Sequence, residues 1–197
     1  MAKNKDAKIH EKLEVVQKGF ANGVATNFPL NDKQKEQMIE KATKAYGEFL
    51  DALDCDWKND PNSSDTPRRV AKAYVHDLWA GRYTPMSPIT SFPSDGYDGI
   101  VIERNIPLTS MCSHHHQTIS GVVHIGYIAG EEGQVIGLSK LNRIVELFGR
   151  RGAIQEQLTS AIHGAVDKIT EGNLGVAVTI VAGHNCVSCR GVKHQGA

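Results

Sequence analysis

The apolar residues of this chain change period near residue 100 and change back near residue 139, and few folds accommodate both switches. Before the first switch, Met38, Ile39, Ala42, Ala45, Tyr46, Phe49, Leu50 and Leu53 recur at helical spacing behind Asn31, a residue suited to cap a helix. A further helix is signalled by Thr66 as N-cap, Pro67 at the first helical position and Gly81 beyond the end, with Val70, Tyr74, Leu78 and Trp79 between. After a Pro- and Ser-rich loop near residues 85–99 come β-branched runs, from Gly99 to Ile106 and from Thr118 to Ile128, predicting two strands joined through Ser110 to Gln117. Ser139 opens a helix carrying Leu141, Ile144, Val145, Leu147 and Phe148. Another starts near Ile154, with Leu158, Ile162, Ala165, Val166 and Ile169 facing inward. Gly175 to Arg190 reads as a closing strand rich in Val and Ile. Helices, strands, two helices and a strand make the fold class α+β. Residues 1–30, with Ile9, Leu13, Val16 and Phe20 at helical spacing, form an extension, and residues 31–84 form a helical region.

Composition narrows the function classes. Of 197 residues, 40% are apolar, the share of an ordinary globular chain with one main core. The 22 Lys plus Arg balance 22 Asp plus Glu, so no overall field marks a nucleic-acid or membrane-surface binder, and any attraction for anions must be local. The amino terminus is charged and leads into no apolar run, and no stretch of some 18 apolar residues occurs; a soluble, cytoplasmic protein is expected. Four cysteines, at Cys55, Cys112, Cys186 and Cys189, are too few and too uneven for a disulfide scaffold, and reduced thiols that bind metal fit better.

The densest chemistry is Met111-Cys112-Ser113-His114-His115-His116, in which Cys112 and His115 have the Cys-x-x-His spacing of a local zinc chelate. A catalytic zinc needs a third ligand, and the other segment rich in soft donors is His184 to Arg190. On a continuous strand, alternation puts His184, Cys186, Ser188 and Arg190 on one face and Cys189 on the other. Cys112, His115 and Cys186 then leave the fourth tetrahedral position for water, whose pKa the metal lowers. Spacing alone also allows a closed structural zinc with Cys189 as fourth ligand, although Val187-Ser188 supplies neither the Gly nor the Pro of a tight knuckle. A blander possibility is that the cysteines are small buried hydrophobes and the histidines lie in a solvated turn.

Ser139-Lys140-Leu141-Asn142-Arg143 sits at a predicted helix start, where free N–H groups and the helix dipole suit an anion, and Arg190 adds a guanidinium on the strand face of Cys186. Taken alone, Lys140 and Arg143 equally suit a solvated surface helix. Gln155-Glu156 begins the next helix, where a carboxylate can accept from the ring N–H and exocyclic amine of guanine, although Glu156 alone also suits a first-turn residue placed for the dipole.

Collectively these segments resemble the type I GTP cyclohydrolases. The matching stretches are Thr-Pro-Arg-Arg-Val-Ala-Lys from Thr66, Ser-Met-Cys-Ser-His-His from Ser110, Gly-Leu-Ser-Lys-Leu-Asn-Arg-Ile-Val from Gly137, Gln-Glu-Gln-Leu-Thr from Gln155 and His-Asn-Cys-Val-Ser-Cys-Arg-Gly-Val from His184. They run in the family's order over roughly residues 35–197. The resemblance implies a tunnelling-fold (T-fold) domain over residues 85–197, assembled as a homo-oligomer, a decamer of two stacked pentameric rings with sites between subunits. It implies zinc on Cys112, His115 and Cys186, and proton transfer by His114 and His184. It places Ser139, Lys140, Arg143 and Arg190 on the triphosphate of GTP with Arg69 of another subunit, Ser139 also near the sugar, and Gln155 and Glu156 in the guanine pocket. The implied reaction converts GTP and water to 7,8-dihydroneopterin triphosphate and formate. No nucleic-acid or membrane partner is implied.

Ser113 stands where the family usually has Glu, and His116 where it usually has an apolar residue, which makes His116 a second, less favoured ligand. The chain also ends at Gly196-Ala197, where the family continues into a Ser/Thr-rich strand and a helix, and a sheet edge is expected to be uncovered there. Two other classes remain open: a binding or regulatory module around a four-ligand zinc, and a T-fold relative with different pterin or deazapurine chemistry. A nitrile reductase of that superfold would need a nucleophilic Cys and a nicotinamide, and the Cys-x-x-His pair argues against it.

Overall fold

Asn31 begins the described structure in the way its chemistry dictates. In the computed structural model, which describes residues 29–194, its side chain accepts the Gln34 N–H at 2.9 Å while Gln34 Oε1 accepts the Asn31 N–H at 2.9 Å. This reciprocal cap starts helix α1 (Asp32–Ala52). The predicted helix around Ile9 to Phe20 lies outside the described residues. Backbone contacts divide the chain into two compact units, one of them Phe28–Pro85 and the other containing everything from Met86 onward.

In the first unit, Ile39 of α1 is fully buried with Ala71 and Val75, and Met38, Ala42 and Tyr83 pack around them. Helix α2 (Thr66–Ala73) starts one residue earlier than expected. Thr66 is its first residue, and Asp65 at the cap position makes no capping bond, its carboxylate taking Arg69 Nε at 3.2 Å. The helix expected to run to Gly81 does not continue regularly. It widens into a π-helical turn at Tyr74–Leu78 and restarts as α3 (Ala80–Tyr83), with Gly81 buried inside it. The Trp79 N–H reaches Tyr74 O at 2.9 Å, five residues back, and the Trp79 ring meets Tyr74 edge-on with centroids 4.9 Å apart. The wider turn accommodates that aromatic pair.

The second unit is built on strands β1 (Ser91–Pro93), β2 (Ile100–Met111), β3 (Thr118–Ile128), β4 (Gln134–Ile136) and β5 (Gly175–His184), with helices α4 (Leu138–Gly149), α5 (Gln155–Ile169) and the short α6 (Asn185–Ser188). Strands β2, β3 and β5 form an antiparallel sheet with β3 central, and β1 pairs antiparallel with β4. Period-2 alternation puts Ile106 and Leu108, then Val123, Ile125 and Tyr127, then Ile180 on one face. Against it lie Leu141, Ile144, Val145 and Phe148 of α4 and Leu158, Ala161, Ile162, Ala165, Val166 and Ile169 of α5, each series at the three- and four-residue steps of an amphipathic helix. Each such buried Leu or Ile contributes roughly 1.5–3 kcal/mol. The α+β class read from the periods is what the chain adopts.

Three boundaries differ from expectation. The first strand was expected to stop at Ile106, before Pro107, but β2 continues to Met111. It is an edge strand, where a proline is tolerated, and a register shift between Glu103 and Ile106, with Asn105 at φ +60°, absorbs the irregularity. The closing strand does not reach Arg190. Its partner β3 starts at Thr118, so pairing runs out at Ile119 opposite His184. Ser188 Oγ then donates to His184 O at 3.2 Å and Cys189 N–H to Asn185 O at 3.0 Å, which turns the chain into α6. Finally, α4 starts at Leu138 with Gly137 as its cap, one residue before Ser139.

Candidate metal centre and surrounding site

The end of β2 delivers Cys112 into a tight reversal. Cys112 N–H donates to Gln117 O at 2.8 Å and His116 N–H to Cys112 O at 2.9 Å, closing a six-residue turn in which His116 adopts the left-handed φ of +52°. Asn and His tolerate that conformation better than a bulky apolar side chain does. The turn buries the Cys112 side chain and leaves His114 and His115 at the surface, their ring centroids 6.1 Å apart. Cys112 is also clamped from the far side. The Ala153 N–H donates to Met111 O at 3.0 Å, forming a parallel bridge between Cys112 and Ala153. Gly152, at φ +72°, makes the α4–α5 link sharp enough for that approach.

The third donor comes from α6. The metal-binding atoms of Cys112, His115 and Cys186 all lie within 4.8 Å of one another, the one such group of three among the described residues. Tetrahedral zinc with bonds of 2.0–2.3 Å holds its ligands roughly 3.5–3.8 Å apart, so closing this triangle needs side-chain adjustment only. Two thiols and an imidazole select zinc over the oxygen-preferring Mg²⁺ and Ca²⁺, and the residues present therefore fit the ion the sequence implies. Cys189 does not join the group, and its exposed thiol lies 3.9 Å from Ser188 Oγ.

The electrostatics suit a ligand set. Loss of hydration beside the protein, followed by the charges of Arg190 and His114, holds His115 below the usual imidazole range, favouring the neutral ring that binds metal. Burial and then the neighbouring Cys112 thiol raise the Cys186 thiol, so ion binding there must displace a tightly held proton.

Arg190 lies close enough for its charge to act on His115 and Cys186, and His184 immediately precedes α6. Arg190 Nη1 donates to Cys186 O at 3.4 Å, and His184 Nε2 meets Gln155 Oε1 at 2.9 Å. Sequence reasoning missed that last contact, because nothing in the local pattern links residues 29 apart. The remaining anion candidates are not drawn in. Ser139 and Arg143 are exposed at the start of α4, and Lys140 Nζ donates to Pro88 O at 3.1 Å. Glu156 is exposed in the first turn of α5. Among the described residues no hydrogen bond joins Ser139, Arg143 or Glu156 to the cluster. Arg69 belongs to the other unit, paired with Asp65.

Comparison with known proteins gives one consistent result. The profile of a family described as GTP cyclohydrolase I matches residues 42–197. The chain is similar to the GTP cyclohydrolase 1 of Mycobacterium ulcerans, 44% identical over 134 residues, 68% of this chain and 65% of that protein. It therefore spans a little under two thirds of that relative's length. It is also similar to the enzyme of the same name from Mycobacteroides abscessus, 36% identical over 177 residues, 89% of this chain and 82% of that protein. The Aeromonas salmonicida protein of that name is 41% identical over 165 residues, 83% of this chain and 72% of that protein.

Proposed function

The chain belongs to the GTP cyclohydrolase I family, and from that membership we propose that it is a zinc-dependent hydrolase converting GTP and water to 7,8-dihydroneopterin triphosphate and formate. The observation that carries the reading is the convergence on one point of Cys112, His115 and Cys186, donors that follow the ends of β2 and β5 at the same end of the sheet. A closed four-ligand centre would need Cys189, which lies outside that group.

We assign the chemistry to residues 85–197, a T-fold domain of which β2, β3, β5, α4 and α5 are the core, with residues 31–84 as a helical region and 1–30 as an extension. Among the described residues no helix is long and apolar enough to cross a membrane, consistent with a cytoplasmic site of action. Zinc on the three ligands supplies Lewis acidity and the means to activate water at neutral pH. His114, next in sequence to the ligand His115, protonates the imidazole-ring nitrogen of the purine as carbon 8 is attacked. Water added at carbon 8 and cleavage of its bond to N9 open the ring to a formamide on N7; a second water hydrolyses that amide to release formate, and one water is returned when the new ring closes, so that one is consumed overall. His184 and Ser139 then move protons at the ribose during its rearrangement and reclosure.

The triphosphate lies along the start of α4, where backbone N–H groups of its first turn, Lys140 and Arg143 meet it, with Arg190 near the metal and Arg69 from a neighbouring subunit. Lys140 must exchange its bond to Pro88 O for phosphate. Glu156 accepts from the guanine N–H and amine, and Gln155 lies beside it. Incubating the full chain with GTP and measuring formate, together with the fluorescent pterin formed on oxidation, tests the reading. Both products are expected from the wild type and neither from Cys186→Ala; a wild type yielding neither overturns it.

A further inference from the structure

His184 closes β5, its backbone paired opposite Ile119 and its carbonyl accepting Ser188 Oγ at 3.2 Å. Gln155 opens α5, its carbonyl accepting Thr159 Oγ1 at 2.8 Å. Because α5 packs along β5, both backbones are anchored, and the 2.9 Å contact between the Gln155 amide oxygen and His184 Nε2 is set by the fold.

We propose that Gln155 is a positioning residue for His184. Its amide oxygen accepts the Nε2 hydrogen, fixing the ring's orientation and the tautomer in which Nδ1 carries the lone pair. A neutral imidazole has one donor and one acceptor, so committing Nε2 as donor leaves Nδ1 as the only ring atom able to take a proton. The same amide keeps its NH₂ group, which suits the O6 and N7 acceptors of a guanine. What His184 does with that lone pair rests on the function proposed above; the fixed tautomer does not.

The test uses the zinc-loaded full chain labelled with ¹⁵N-histidine, the His184 signals being assigned by their loss in His184→Asn. The wild type is expected to show a protonated Nε2 and a bare Nδ1. Gln155→Met, of equal length but with no acceptor, is expected to give a tautomer mixture, and Gln155→Glu to keep Nε2 protonated. A wild-type ring protonated on Nδ1, or ring signals unchanged in Gln155→Met, overturns the proposal. In turnover, Gln155→Met is expected to lower kcat roughly tenfold or more, and to lower kcat no further in a His184→Asn background, where any remaining effect falls on KM through the guanine contact. Fully additive losses in kcat would show that Gln155 does not act through His184 and would overturn the positioning role. A wild type with the expected ring signature but no formate from GTP would sink the proposed function and leave the positioning intact.

Discussion

At the level of single residues, the centre separates two thiols that lie only one helical turn apart. Cys186 joins Cys112 and His115, whereas Cys189 is exposed and outside the group. Cys189→Ser is therefore expected to retain zinc at one ion per chain and Cys186→Ser to lose it, as read by metal analysis after gel filtration. Loss of zinc in both variants would indicate a closed site. The Cys-x-x-His pair was legible because its spacing is local and chemically narrow. Cys186 was reached through a strand alternation that the chain does not follow beyond His184; a helical turn, set by Ser188 and Asn185, groups it with the others. The Gln155–His184 contact had no signal in the sequence, since either residue alone suits many surfaces.

Among the elements, helices announced by side-chain chemistry were the readable ones. Asn31 and Gln34 form the cap that α1 requires, and the apolar steps of α4 and α5 are those of their buried faces. Strands β1 and β4, three residues each, exist only through their mutual pairing, and the Tyr97-containing loop beside them offers no period to read. The π-helical turn likewise depends on how Trp79 meets Tyr74. Helices α1 and α2 are joined by Arg68 Nη2 on Glu36 Oε1 at 2.6 Å, which holds the Glu36 carboxyl below its ordinary value of 4.5. A depressed carboxylate stabilises the fold above its unfolded pKa, and that contribution vanishes as pH falls through the lower folded value. Glu36→Gln is thus expected to lower Tm at neutral pH, with the gap to wild type closing as pH falls below the ordinary carboxylate value and through the lowered one. A gap that persists undiminished in acid would show that the pair is not its cause.

For the whole molecule, the sheet is unfinished among the described residues. Both β2 and β5 pair with β3 alone, and Ile100, Ile102 and Val181 on these outer strands are half exposed or more. Open edges of this kind pair with further strands, in keeping with the ring of subunits that the family resemblance implies and with the proposal that Arg69 serves a neighbour's site. Arg69→Ala and Cys186→Ala should each be inactive alone, yet their mixed assembly should recover part of the formate yield, because some sites receive one intact residue from each chain. No recovery in verified mixed oligomers would place Arg69 in its own subunit's site or outside the chemistry. The proposed reaction requires a zinc held by Cys112, His115 and Cys186 with one position left open. X-ray absorption at the zinc edge of the loaded full chain measures that directly. Two sulfurs near 2.3 Å, with one imidazole nitrogen and one further light atom near 2.0 Å, is the expected shell; three sulfurs and one nitrogen would contradict it.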